Sequence, residues 1–155
     1  MRNKMTLIKA TMEHIPTLVQ ISKDAFDSDI TVGASSKGGP PEYDSIEWHI
    51  EMMQQGHLFT AMERTTIVGG SILFRDERNA SFMYVGRIFV KPDLFRKGYG
   101  TRIMEQIEAM DPAITMWCLD TPIWNQRTNR FYQKLGYIEK SRDAEFIYYQ
   151  KSIGR

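Results

Sequence analysis

The 155 residues suit one compact domain, and 42% hydrophobic with 25% charged residues exclude a disordered or fibrous chain. Twenty Lys and Arg against nineteen Asp and Glu leave a net charge of +1, too weak a field to grip nucleic acid or an anionic membrane surface. A single cysteine, Cys118, excludes an internal disulfide framework and a cysteine-based zinc cluster, and the reducing cytosol is the expected compartment.

The start, Met1-Arg2-Asn3-Lys4-Met5, leads into only the apolar pair Leu7-Ile8 and does not read as a secretory signal. Met5 to Ala10 reads as a first strand. Thr11 opens a helix that places Ile15, Leu18, Val19, Ser22, Ala25 and Phe26 on one face. Asp27 to Asp44, rich in Gly, Ser, Asp and Pro, reads as a long loop of the kind that is functional or mobile. Ser45 caps a second helix through Gln55, with Ile46, Ile50 and Met53 expected inward and Gly56 ending it. His57 to Glu63 and Thr66 to Phe74 form a hairpin about Arg64-Thr65, and Ser81 to Val90 a further strand. Gly98 to Met110 is helical, Ile114 to Leu119 a buried strand, and Asn125 to Leu135 a last helix closed by Gly136. Tyr137 to Ser141 and Phe146 to Lys151 are the final strands. No apolar run approaches the roughly 18 residues of a membrane span. The order predicts a single α/β (α+β) domain over 1–155, with one mixed sheet and helices on its faces.

The small net charge hides an uneven distribution. Asp24 to Glu51 carries seven acids against Lys37 alone, a local charge of −6. Tyr84 to Arg102 carries Arg87, Lys91, Arg96, Lys97 and Arg102 against Asp93, a local charge of +4.

The basic segment is Ile88-Phe89-Val90-Lys91-Pro92-Asp93-Leu94-Phe95-Arg96-Lys97-Gly98-Tyr99-Gly100-Thr101. A strand runs into a glycine-containing loop that opens a helix, and a helix N-terminus offers unpaired N–H groups and partial positive charge to a phosphate. A P-loop is excluded because no lysine stands at its required position. A dinucleotide fingerprint is excluded because its third glycine position is Ile103.

The remaining pattern, [Gln/Arg]-x-x-Gly-x-[Gly/Ala] after Val-x-Pro, resembles motif A of the GNAT superfamily of N-acetyltransferases. Asn125-Gln126-Arg127-Thr128-Asn129-Arg130-Phe131-Tyr132-Gln133-Lys134-Leu135-Gly136-Tyr137 resembles motif B of the same superfamily, with Asn125, Tyr132, Lys134 and Tyr137 in its positions. One position departs: the first residue of motif A is Phe95. The resemblance implies a mostly antiparallel mixed sheet of about seven strands flanked by about four helices. It also implies acetyl-CoA as cosubstrate, with Ile88, Phe89 and Val90 offering backbone groups to the pantetheine arm and the acetyl carbonyl. Arg96, Lys97, Gly98, Tyr99, Gly100 and Thr101 would hold the pyrophosphate, and Asn125 and Lys134 would touch coenzyme A peripherally. Tyr132 would be the general acid, its ordinary pKa of about 10 keeping it protonated near neutrality.

The base is open at this level. The strand Phe82-Met83-Tyr84-Val85-Gly86-Arg87 holds no carboxylate. Asp120 is the best-placed candidate, against a plain turn residue before Thr121-Pro122, and Glu63 is a weaker one. His14, His49 and His57 show no metal-ligand spacing, so no metal is expected. Cys118, in an apolar strand, reads as an inert thiol rather than an acyl carrier. By resemblance the acceptor site is built by the first two helices and their connection, which is the acidic Asp24–Glu51 stretch. That suits a cationic amine of a small molecule or peptide, with Asp27, Asp29, Glu42 and Asp44 at its entrance and Tyr43 and Trp48 as candidate walls, core packing being the favoured role for Trp48. The competing function is a non-catalytic acyl-CoA-binding sensor. Dimers are common in the superfamily, which leaves a homodimer open.

Overall fold

Residues 4–154 are described in this computed structural model; Met1–Asn3, the head of the stretch read above for a signal, and Arg155 lie outside the described residues. Strand β1 (Met5–Lys9) is followed by a 3₁₀ turn and helix α1 (Ile15–Asp27), with Pro16 in the first turn, where a missing N–H costs nothing. Its expected face is buried except for the half-buried Phe26, and Ile21 joins it. The stretch expected to be loop from Asp27 begins instead with a 3₁₀ segment, Ser28–Val32, and is irregular only beyond it.

Helix α2 (Ile46–Gln54) starts where Ser45 Oγ accepts the Trp48 N–H at 3.1 Å. Its inward face differs from the expected one. His49 and Met52 are buried, Ile50 and Met53 half-buried, and Ile46 is 52% exposed. A histidine occupies the core position with its polar capacity half met: its Nδ1–H donates to the Ser45 carbonyl at 2.6 Å, Trp48 and Phe89 enclose the ring, and Nε2 is buried without a partner among the described residues.

Strands β2 (Leu58–Glu63), β3 (Thr66–Arg75) and β4 (Phe82–Val90) form a meander. Helix α3 (Tyr99–Ala109) crosses to β5 (Met116–Pro122), then come helix α4 (Gln126–Lys134), β6 (Ile138–Arg142) and β7 (Phe146–Ser152). The sheet order is β1-β2-β3-β4-β5-β7-β6, antiparallel everywhere except β4–β5. This is the mixed seven-strand, four-helix architecture expected from the element order.

Two apolar cores cover the two faces. On one, Ile103, Met104 and Ile107 of α3 and Tyr132 of α4 pack over Met83, Val85, Val90, Trp117 and Leu119. On the other, Ile15, Leu18 and Ile21 of α1 and Met52 of α2 pack over Leu58, Ile72 and Phe89. Among the described residues, no helix is long and apolar enough to cross a membrane.

Candidate active site

The parallel pair β4–β5 is bonded only at Phe82–Met116, Met83–Trp117 and Tyr84–Cys118. Beyond that point both strands continue with no ladder between them, so Val85–Val90 and Leu119–Pro122 diverge. The divergence has a local cause. The β3–β4 register slips between Ile72, opposite Arg87, and Leu73, opposite Val85, which leaves Gly86 as an extra residue. Such a bulge bends its strand and increases its twist. Ile88, Phe89 and Val90 therefore border a gap in the sheet.

At the end of β4, Pro92–Leu94 forms a 3₁₀ turn, Arg96 takes a left-handed conformation with φ 64°, and Gly98 takes one with φ 85°. The ladder of α3 begins with the Arg102 N–H bonded to the Gly98 carbonyl at 3.1 Å. The amides of Gly98, Tyr99, Gly100 and Thr101 thus have no carbonyl from the helix, as at any helix N-terminus. Arg96 and Lys97 are exposed beside them. This is a fit cradle for a pyrophosphate. The two glycines serve different ends. Gly98 supplies the left-handed turn, whereas a Cβ on Gly100 would stand 3.1 Å from Cζ of Phe131 in α4. Tyr99 turns away, its hydroxyl donating to Glu63 at 2.7 Å under the Arg102 guanidinium.

Phe95, at the departing motif position, is half-buried between the two cores and carries the Arg127 guanidinium over its ring at 4.6 Å. Arg127 in turn pairs with Asp29 at 2.7 Å.

Helix α4 begins at Asn125, whose Oδ1 accepts the Thr128 N–H at 3.1 Å. The side chain is buried, so its work here is the cap. Lys134 is exposed in the last turn, remote in sequence from that end. Tyr132 is 6% exposed among the rings of Phe131, Tyr137 and Tyr149. Burial and then the negative charge of Asp120 push its pKa well above the ordinary tyrosine value.

Asp120 is not a turn residue. It lies inside β5, opposite Tyr148 of β7 in the register, and accepts the Tyr84 hydroxyl at 2.7 Å. Burial and this bond raise the Tyr84 pKa strongly, so Tyr84 remains the donor. Glu63, the weaker candidate, is engaged by Tyr99 and by Arg102 at 3.6 Å, away from the gap. Burial pushes the Cys118 thiol up to about 11, too high for a thiolate near neutrality. A shallow cavity opens where β5 ends, lined by Pro122, Ile123, Trp124 and the β6–β7 turn.

The acidic stretch does not become an open negative field. Asp27 pairs with Lys23 at 2.7 Å and accepts the Tyr43 hydroxyl at 2.8 Å. Asp29 is consumed by Arg127. Glu42 and Asp44 remain exposed. Opposite them stands Arg87 of β4, whose guanidinium lies 4.3 Å over the Trp48 ring and donates through Nη2 to the Pro41 carbonyl. Neither Tyr84 nor Arg87 belongs to a motif, and the charge count of their segment does not separate Arg87 from its neighbours. The usable signal was an arginine set inside the apolar run Val85-Gly86-Arg87-Ile88-Phe89-Val90, beside a strand glycine.

A family model described as an acetyltransferase (GNAT) domain matches residues 54–139, more than half of the chain. The chain belongs to the GNAT acetyltransferases. It is thus an acetyltransferase whose cosubstrate is acetyl-CoA. Solved structures agree in fold. The PaiA N-acetyltransferase of Thermoplasma acidophilum, in complex with coenzyme A, is 17% identical, with TM-score 0.81 over 97% of this chain and 99% of that one. A GNAT-family acetyltransferase of Streptococcus agalactiae is 14% identical, with TM-score 0.83 over 97% and 96%. An acetyltransferase of Thermus thermophilus is 12% identical, with TM-score 0.79 over 97% of each. Among curated proteins, none matches the chain.

Proposed function

We propose that this GNAT acetyltransferase moves the acetyl group of acetyl-CoA to a primary amine of a small molecule or peptide by direct attack. The observation that carries the reading is the sheet gap after Tyr84–Cys118, with the glycine loop following β4 and Asp120 in β5, whose charge reaches the buried Tyr132 of α4. Arg96 to Thr101 hold the pyrophosphate through backbone amides, with Arg96 and Lys97 as rim charges. Ile88, Phe89 and Val90 offer strand backbone groups to the pantetheine arm and the acetyl carbonyl.

In the step itself, the amine nitrogen forms a bond to the thioester carbon and the carbon–sulfur bond breaks. The thiolate released takes a proton from Tyr132. A tyrosine held above its ordinary pKa is protonated at every working pH, and the same dry surroundings raise the proton affinity of the thiolate it faces. The proton lost by the amine passes through water toward Asp120, whose bond from Tyr84 fixes the orientation of its carboxylate. A lysine-type amine, with pKa about 10.4, needs this removal most. Asn125 keeps the end of α4 in place, and Lys134 touches coenzyme A at the periphery.

The test is a panel of amines with acetyl-CoA, following release of the free thiol, run on wild type and on Tyr132→Phe. Thiol release that depends on an amine, and falls in the variant, supports the reading. Binding of acetyl-CoA with no release for any amine would favour the sensor function instead.

A further inference from the structure

The other two partly buried arginines among the described residues are each matched by an acid, Arg102 by Glu63 and Arg127 by Asp29. Arg87 breaks this pattern. Among the described residues no carboxylate lies within ion-pairing distance of it, and Nη1 is buried with no hydrogen-bond partner. Burial lowers its pKa only to about 10, so the guanidinium is still charged near neutrality. A buried charge without a counter-ion is costly, and it is kept where a ligand supplies the missing partner.

The surroundings specify that partner. The Trp48 ring lies beneath the guanidinium, with Cζ 4.3 Å from the ring centre, and covers one side of it. Nη2 is satisfied only by the carbonyl of Pro41, in the irregular connection between α1 and α2. Nη1 and Nη2 form one edge of a planar fork, which matches the two oxygens of a carboxylate. A carboxylate on this edge displaces the Pro41 carbonyl and completes Nη1 in one move. Glu42, the next residue of the connection, is exposed; its charge favours the charged guanidinium from a distance but forms no ion pair with it.

We infer that Arg87 receives a carboxylate of the acceptor, so that the substrate is an amino acid or similar amino-carboxylate rather than a polycation. The inference rests on the acetyl-transfer reading in one respect: Ile88, Phe89 and Val90, whose backbone groups that reading gives to the pantetheine arm and the acetyl carbonyl, directly follow Arg87 in β4. The carboxylate then stands one or a few carbons from the amine. It also accounts for the pairing of Asp27 and Asp29, which takes two negative charges out of the way of an anionic group.

The experiment has a binding arm and a turnover arm. N-acetyl amino acids and their carboxamides, as unreactive product analogues, are titrated calorimetrically into the protein saturated with coenzyme A. Wild type is expected to bind the acids at least about tenfold more tightly than the matched amides, and Arg87→Gln to abolish that preference. Arg87→Lys, which keeps charge but not the fork, is expected to restore only part of it. In turnover, kcat/KM for amino acids over their decarboxylated amines is expected to fall about 10- to 100-fold in Arg87→Gln, with the decarboxylated amines little affected. Equal binding of acids and amides by wild type overturns the inference, since that comparison needs no variant. So does an equal loss for both substrate classes in Arg87→Gln. Preferential binding of acids without acetylation of any amine would uphold the carboxylate site and defeat the transfer reading.

Discussion

Two tyrosines with raised pKa values border the same carboxylate and do different work. Tyr132 is buried with no hydrogen-bond partner for its hydroxyl among the described residues, which leaves its proton free for a leaving group. Tyr84 spends its proton on Asp120. On the proposed mechanism Tyr132→Phe is expected to lower kcat about 100-fold with little change in the KM for acetyl-CoA, because the hydroxyl would act on the departing sulfur and not on binding. Steady-state thiol release gives both constants. Asp120→Asn is expected to lower kcat mainly for amines of high pKa. Tyr84→Phe leaves the proposed base, Asp120, in place and should lower kcat about tenfold or less. Plotting log kcat against acceptor pKa for the three proteins separates these roles; a slope unchanged in Asp120→Asn would remove Asp120 as the base.

At the scale of the element, the glycine loop shows how one pattern can hold two physical demands. Gly98 needs a left-handed backbone, and alanine there costs about 1–2 kcal/mol and turns the leading amides of α3. Gly98→Ala should raise the KM for acetyl-CoA about tenfold and lower Tm. Gly100→Ala meets Phe131 at 3.1 Å, but alanine also gains about 1 kcal/mol of helix propensity. The opposing effects leave its Tm close to wild type and its acetyl-CoA KM unchanged. Kinetics and thermal melts on the pair decide which glycine the cradle needs. Helix α2 repeats the lesson at its inner face: spacing alone favoured Ile46, yet the face turned toward His49 because the Ser45 carbonyl could satisfy its ring nitrogen.

Across the whole molecule, that buried histidine links stability to pH. Burial chiefly, and the nearby Arg87, hold the His49 pKa below its ordinary 6.5, against the Ser45 carbonyl and Asp44. As pH falls through that value the unfolded chain binds a proton that the native state refuses, so stability drops on the acidic side and is complete above it. Tm should decline between about pH 7 and pH 5, before the carboxylates titrate, and His49→Gln should flatten that decline. An equal decline in the variant would place the linkage elsewhere.

The family pattern, the element order and the positions of the loop and of Tyr132 follow from the chain alone, because they depend on local spacing and backbone chemistry. The charge of −6 over Asp24–Glu51 is equally a fact of sequence, but its meaning is not. Lys23 is four residues from Asp27, whereas Arg127 reaches Asp29 from 98 residues away. Arg87 comes under Pro41 from 46 residues away, and Tyr84 meets Asp120 across 36. Only the assembled sheet and the helices packed on it bring these groups together. Short-range pattern determines which helix and strand form; the pairing of charges in space depends on contacts between distant segments, and it is this pairing that occupies Asp27 and Asp29 and sets Arg87 between Trp48 and Pro41.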